Sequence, residues 1–167
     1  GMTRFELAST DSSALGGKAT RKEITAWLSG QTNGPTMSIL LYLPNGVSQP
    51  VPAFLGLNFG GNHTICADPG IRITEAWVPA AKDGSVTNNQ ATEAGRGRGA
   101  SRWPGEKILA RGYALATVYC GELEPDYVDG WMLGVRATLN VAGTNTTFRT
   151  NQWGAICTWA WGLSRAL

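Results

Sequence analysis

The sequence has little cysteine, a single histidine and little net charge. Its three cysteines, Cys66, Cys120 and Cys157, lie far apart without metal-ligand spacing, which favours buried free thiols. A formal net charge of +2 leaves no large basic field for nucleic acid as an obligate partner. We find neither an apolar run of membrane-spanning length nor a signal peptide, and we expect no membrane partner.

The 167 residues, 43% of them hydrophobic, suit one globular domain with a substantial core. One stretch organises the rest: the apolar run Val51–Phe59, which continues into Gly60-Gly61-Asn62-His63. A continuous apolar run predicts an interior strand that is covered on both faces. Paired glycines after such a strand let backbone N–H groups approach a ligand closely, or simply make a tight turn.

Local patterns along the chain predict an α/β fold with a mixed sheet. The long segment from Thr64 to Ser101 has little periodicity, which is typical of a functional or a disordered loop. We expect the last two strands to be parallel and joined by a right-handed crossover. Asn151 is the expected cap of the final helix. The predicted strands and helices are Thr3–Ala8, Thr20–Leu28, Met37–Leu43, Ala53–Phe59 and Ala114–Tyr119, with helices near Glu106–Arg111 and Trp153–Leu167.

Several long phrases carry a family resemblance. They are Phe54–His63, Ser101–Pro104, Ile108–Ala114, Trp153–Ala155 and Trp159–Leu167. Together they resemble bacterial glucuronoyl esterases, a carbohydrate esterase family with the α/β-hydrolase fold whose members are often described as acetylxylan esterases. The resemblance implies a serine nucleophile with a histidine and an acidic partner, which cleave esters between lignin alcohols and the glucuronoyl side chains of xylan. It implies no metal or other cofactor, and a secreted or periplasmic location.

The sequence also departs from the family pattern. In these esterases the nucleophile lies on a Gly-x-Ser-Arg-x-Gly turn, one strand after the Trp-rich helix in which this sequence ends. We therefore expect residues 1–167 to form one incomplete domain, the N-terminal half of an α/β-hydrolase. Its sheet should be mixed and mostly parallel, flanked by helices, and should lack the nucleophile strand and everything after it. No catalytic residue is assigned.

One motif superficially resembles the nucleophile turn. Ser164 lies in Gly162-Leu163-Ser164-Arg165-Ala166, but it follows Trp159-Ala160-Trp161 in a helical context instead of a strand. A nucleophile elbow needs a preceding strand and a sharp turn, so we do not interpret Ser164 as catalytic. His63 is the only histidine that could serve as its base, and nothing in the sequence pairs the two residues.

Two segments are candidates for the surroundings of the site. The resemblance places the loop Gly60, Gly61, Asn62 and His63 beside the nucleophile, where backbone donors could help to shape the acyl-binding site. The segment Gly95–Gly99 is interpreted as a flexible solvated loop. Its alternative is a basic rim that pairs with a uronate, with Arg96, Arg98 and Arg102 as the candidates.

An acidic cluster follows the strand Ala114–Tyr119. Its spacing fits no calcium-binding loop, and a solvated loop is the preferred interpretation. No metal site is assigned. The cluster consists of Glu122, Glu124, Asp126 and Asp129.

Two functions from different classes fit these patterns. The first is the N-terminal part of a serine carbohydrate esterase, inactive by itself, whose substrate in the intact protein is a glucuronoxylan-type ester. The second is a non-catalytic sugar-binding or protein-association domain built on the same half-fold. The absent nucleophile strand would leave an apolar edge at Ala53–Phe59, which predicts self-association or pairing with a C-terminal half.

Overall fold

Five strands form one mixed sheet in the computed structural model, which describes residues 2–48, 50–139 and 153–167. In chain order they are β1 (Arg4–Ser13), β2 (Ala19–Trp27), β3 (Thr36–Pro44), β4 (Ala53–Asn58) and β7 (Ala114–Tyr119), and their spatial order is β1-β2-β3-β7-β4. Between β4 and β7 a small antiparallel ladder joins β5 (Val86–Thr87) to β6 (Gln90–Ala91). All five predicted strands are therefore present, each overlapping its predicted range in the sequence.

The pairing within the sheet is mixed, as predicted, but it is mostly antiparallel. β4 and β7 form the parallel pair that the sequence predicts, from Ala53 opposite Ala114 to Asn58 opposite Tyr119. The pairs β1–β2, β2–β3 and β3–β7 are antiparallel, so the prediction of a mostly parallel sheet is wrong. The reason is chain connectivity: short links join β1 to β2 and β2 to β3, which makes these neighbours antiparallel, while the long segment between β4 and β7 acts as the crossover between parallel strands.

The core lies on both faces of β3 and β7. On β3, Leu40 and Tyr42 face one core cluster while Met37 and Ile39 face the other, as the alternation of a strand requires. Every residue of β7 is buried. The first face is covered by α2 (Gly105–Leu109), and the second by α3 (Cys120–Leu123), α4 (Val135–Leu139) and α5 (Ala155–Arg165). α1 (Ala14–Gly17) is a turn-like connection between β1 and β2.

β4 lies at the edge of the sheet, so its predicted interior position is wrong for this chain. Phe54 remains 55% exposed, while Asn58 at the other end of the strand is buried. The edge position follows because β7 is the one strand that pairs with β4 in the described part of the chain. The open edge expected from the sequence is thus present.

The two predicted helices also form, with shorter bounds. α2 begins directly after Pro104 and ends at Leu109, two residues earlier than expected. α5 begins after Gly154, and the predicted cap Asn151 lies outside the described residues. α5 buries one side only: Gly162 packs against Leu123, whereas Ile156 is 75% exposed.

The cysteines fit the prediction of buried thiols only in part. Cys120 is buried, Cys66 is half-buried and Cys157 is exposed on α5. In the described ranges, no helix has the length and apolar character needed to span a membrane.

Candidate functional site

The loop that follows β4 lies at the carboxyl end of the parallel pair. Gly61 adopts a φ of 97°, and residues Asn62–Thr64 then make one short 3-10 turn. A side chain at Gly61 would meet the His63 ring at 2.8 Å and Thr74 at 2.9 Å. Both the positive φ and the close approach require glycine here, which explains the second glycine of the pair.

A network of buried amides fixes the shape of this loop. Asn58 Oδ1 accepts the Gly61 N–H at 2.9 Å, and Asn58 Nδ2 donates to Asn62 Oδ1 at 2.7 Å and to Thr117 Oγ1 at 3.0 Å. Asn62 Nδ2 in turn donates to the Ser38 carbonyl at 2.9 Å. The Gly61 N–H is therefore bound to Asn58 instead of pointing freely into solvent.

His63 is enclosed and is not paired with a nucleophile. It is 1% exposed, and neither ring nitrogen has a hydrogen-bond partner among the described residues. Burial, followed by the positive charge of Arg96, lowers the pKa of His63 to about 4, although Glu93 opposes this shift. A neutral imidazole in this position packs against the loop and accepts no proton from any described hydroxyl or thiol.

The glycine-rich segment Gly95–Gly99 is packed against the loop that follows β4, residues Gly60–Thr64, which we call the site loop. The Gly97 N–H donates to the His63 carbonyl at 3.0 Å, and the Gly99 N–H donates to the Thr64 carbonyl at 2.8 Å. A side chain at Gly95 would lie 3.1 Å from His63 Nε2. The prediction of a flexible solvated loop is therefore wrong, because these glycines permit close packing.

The three candidate arginines have different environments. Arg96 turns inward, where its Nη1 donates to the carbonyls of Asp68 and Ile71 at 2.7 and 2.8 Å. Arg98 hydrogen-bonds Ser85, and its Nη2 would lie 3.6 Å from a side chain added at Gly60. Arg102 is exposed. The structure thus brings Arg98 beside the site loop, where its Nη1 lies 3.5 Å from Asp83 Oδ2, and commits Arg96 to backbone carbonyls and to an ion pair with Glu93.

A buried ion pair anchors the beginning of the long segment after the loop. Arg21 donates to both carboxylate oxygens of Asp68, at 2.6 and 2.8 Å, and the Tyr42 hydroxyl donates to the same carboxylate at 2.6 Å. Although burial opposes the charge, hydrogen bonds from Tyr42 and Arg21 lower the pKa of Asp68. This part of the predicted loop is therefore fixed to the sheet.

A polar cleft of about 750 Å³ opens beside Asn62. Its walls come from distant parts of the chain, which include the segment before β3, the segment after the site loop and the segment after β7. No single stretch of the sequence therefore indicates the cleft. We call it the polar cleft. Residues that line it include Glu23, Ser38, Asn62, Arg72, Thr74, Glu75, Trp77, Gln90, Glu122 and Thr138.

Glu122 links two walls of the polar cleft. Its carboxylate accepts the Ser38 N–H and, at 2.9 Å, the Thr74 hydroxyl. Burial raises the pKa of Glu122 despite these hydrogen bonds. The only sequence signal was its place directly after the buried strand β7.

The acidic cluster is only partly a solvated loop. Asp126 and Asp129 are exposed, as predicted, but Glu124 is 1% exposed and forms an ion pair with Arg136, whose Nε lies 2.6 Å from Oε2. The carbonyl of Glu124 also accepts the Trp159 indole N–H at 2.8 Å. The solvated interpretation is thus wrong for Glu122 and Glu124, whose partners lie far away in sequence.

Ser164 lies within α5, in the helical context that the sequence indicates. Its hydroxyl donates to the Trp161 carbonyl at 2.7 Å, one turn back in the same helix. Helical residues of α5 directly precede it, so its backbone does not have the strand-to-turn geometry of a nucleophile elbow.

Comparison with known proteins reveals close relatives over almost the entire chain. No family model matches the sequence. A carbohydrate esterase, MZ0003, from an unknown prokaryotic organism is 43% identical over 165 residues, which are 97% of this chain and 38% of that protein. The chain thus spans about two fifths of the length of this relative.

Solved structures agree with the sequence comparison. A glucuronoyl esterase from Solibacter usitatus shares 44% identity and a TM-score of 0.85, with 98% of this chain and 40% of that protein covered. A promiscuous CE15 esterase from a marine bacterial metagenome shares 42% identity and a TM-score of 0.79, with 99% and 41% covered. The resemblance to bacterial glucuronoyl esterases is therefore confirmed in sequence and in fold, over a partial length that is consistent with an N-terminal half.

Proposed function

We propose that this chain supplies the first strands and the loop after β4 to a serine carbohydrate esterase that cleaves glucuronoyl esters of xylan. The relatives carry the names carbohydrate esterase and glucuronoyl esterase, which supports ester hydrolysis as the reaction. The polar cleft and the loop Gly60–His63 meet at the carboxyl edge of the parallel strands, where α/β enzymes bind their ligands. Arg98 beside Gly60 and the exposed Arg102 are the proposed rim toward a uronate.

We further propose that the chain does not hydrolyse esters by itself. The observation that carries this proposal is the state of His63, the sole histidine of the sequence. Its ring nitrogens have no partner among the described residues, so no described serine or cysteine is activated by it. A serine hydroxyl is a weak nucleophile without an adjacent base, and backbone donors alone cannot form an acyl-enzyme.

Turnover of a glucuronate methyl ester by the purified 167-residue chain tests this proposal. We expect the rate to equal that of buffer, with no labelling by a fluorophosphonate serine-hydrolase probe. Ser164→Ala is the matched variant, because Ser164 is exposed and bonds only within its own helix turn. Hydrolysis that disappears in Ser164→Ala would refute the proposal and make Ser164 the nucleophile.

A second candidate function, protein association, is favoured by the open edge of β4. Among the described residues no strand pairs with its outer side, which is flanked by exposed aromatic side chains, with Phe54 at 55% and Phe59 at 59% exposure. Unpaired, apolar sheet edges promote pairing with another strand. Light scattering at high concentration should therefore show self-association. A clean monomer would count against an associating edge, and association blocked by Phe54→Lys would assign it to β4.

A further inference from the structure

The charge that lines the polar cleft is acidic. Its ionisable side chains are those of Glu23, Glu75, Glu122 and Arg72, so three carboxyl groups face one cation in the described part of the chain. The Arg72 Nε lies 3.7 Å from Glu23 Oε2 and is already paired with it. A ligand with a carboxylate would be repelled from this cleft, because like charges at short range disfavour binding.

The polar groups of the cleft are suited to hydroxyl donors. The Glu122 carboxylate accepts the Ser38 N–H and the Thr74 hydroxyl, and the Ser38 side chain also hydrogen-bonds it. A carboxylate offers about four acceptor positions, so roughly one remains for a ligand. Gln90 is exposed on β6 and lines the same cleft, where it offers both an amide donor and a carbonyl acceptor.

The cleft also has an aromatic wall and an appropriate size. Trp77 contributes to its lining, and the indole is held against the Tyr127 ring at a centroid distance of 4.7 Å. A volume of about 750 Å³ lies within the range of small-molecule pockets, about 300–1,000 Å³. An apolar wall beside fixed hydrogen-bonding groups suits a ligand with an apolar ring face and polar edges.

We propose that the polar cleft binds a neutral, hydroxyl-rich sugar unit, which places uncharged residues of the polysaccharide there and the acidic sugar elsewhere. This inference rests on the proposed function, since it assigns a part of the same substrate to a second place at the site. The proposed division follows the charges: Arg98 lies beside Gly60, with the exposed Asp83 carboxylate 3.5 Å from its Nη1, while the cleft carries three carboxyl groups and one arginine. A uronate and an uncharged pentose would thus be sorted by electrostatics.

Titration of the 167-residue chain with xylotetraose, followed by amide NMR shifts, tests the inference. We expect shifts at Ser38, Asn62 and Thr74, and none at Lys107 on α2, which is not part of the cleft lining. Glu122→Gln should weaken xylotetraose binding about tenfold, as expected for loss of a hydrogen bond to a charged acceptor. The matched control is Glu106→Gln on α2, where an exposed carboxylate pairs with Lys18, and it should leave binding within about twofold.

A second variant protects the test against misfolding. Gln90 has an exposed side chain, so Gln90→Ala should keep the fold and still weaken xylotetraose binding about threefold. Glucuronate and Ca²⁺, each added alone, are the competing probes. Tighter cleft binding of glucuronate than of xylotetraose, a Ca²⁺ response abolished by Glu122→Gln, or no xylotetraose shifts at millimolar concentrations would each overturn the inference.

Failure of this inference can be distinguished from failure of the proposed function. Binding is measured on the chain alone and needs no catalysis. If a reconstituted protein hydrolyses glucuronoyl esters but the chain shows no xylotetraose shifts, the cleft assignment is wrong and the esterase proposal stands. If xylotetraose binds but reconstitution yields no hydrolysis, the cleft assignment stands and the esterase proposal is wrong.

Discussion

The buried His63 makes the stability of this chain depend on pH. In the folded chain burial and nearby Arg96 hold the pKa of His63 at about 4, whereas its ordinary value is 6.5. At a pH between these two pKa values, the His63 imidazole takes up a proton in the unfolded chain but not in the folded chain. Stability is therefore fully present above about pH 6.5, and it is lost as the pH falls toward 4.

The expected loss is large relative to the stability of a small domain. A slope of about 1.4 kcal/mol per pH unit over this window gives a total of about 3 kcal/mol from His63 alone. The groups that surround the ring add smaller effects of both signs, since Arg96 and Arg98 lower its pKa and Glu93 raises it. Carboxylates such as Asp68, whose pKa is lowered, lose their own contribution at still lower pH.

Urea unfolding at pH 7, 6, 5 and 4.5, followed by tryptophan fluorescence, measures this effect. The comparison is with His63→Gln, which cannot take up a proton and so isolates the contribution of the imidazole. The free energy of unfolding of the native chain should fall relative to that of His63→Gln as the pH is lowered. Parallel curves for the two proteins, or an imidazole pKa above 6 by NMR, would refute the reasoning.

Three further predictions concern stability. Asn58→Ala should cost about 2–3 kcal/mol, because it leaves Asn62 Oδ1 and the Gly61 N–H without their buried partner; urea unfolding would show this, and a loss under about 0.5 kcal/mol would contradict it. Gly162→Val should destabilise the fold by about 2 kcal/mol or more, since an added Cβ would lie 2.8 Å from Leu123 Cγ. Its control is Ser164→Ala on the same helix, which should change stability by less than about 0.5 kcal/mol because Ser164 is exposed. Glu124→Gln should cost about 3 kcal/mol in the same assay, because it breaks a buried ion pair.

The strands could be predicted because their signal is local. Ala114–Tyr119 is apolar except for Thr117 and is buried throughout, and the parallel pairing of β4 with β7 followed from the crossover between them. The edge position of β4 could not be predicted from its own sequence pattern. An apolar run has the same pattern whether the strand pairs with one neighbouring strand or with two. Only the family resemblance indicated that its second neighbour would be absent.

The site could be predicted less well, for two physical reasons. Glycine serves both flexibility and close packing, so Gly97 and Gly99 gave no sign that their N–H groups bind the carbonyls of His63 and Thr64. A buried carboxylate can be recognised only from its hydrogen-bond partners, and Thr74, which donates to Glu122, lies 48 residues away in the sequence. The polar cleft is built from such distant segments, which leaves no motif to read.

Fragment complementation tests the central claim most directly. The 167-residue chain would be mixed with the remaining C-terminal portion of the Solibacter usitatus glucuronoyl esterase, and release of alcohol from a glucuronate ester would be followed. We predict no hydrolysis by either polypeptide alone, hydrolysis by the mixture, and loss of that activity when the edge variant Phe54→Lys is used. Turnover by the 167-residue chain alone would contradict the account, and so would a stable complex of the two polypeptides that remains inactive.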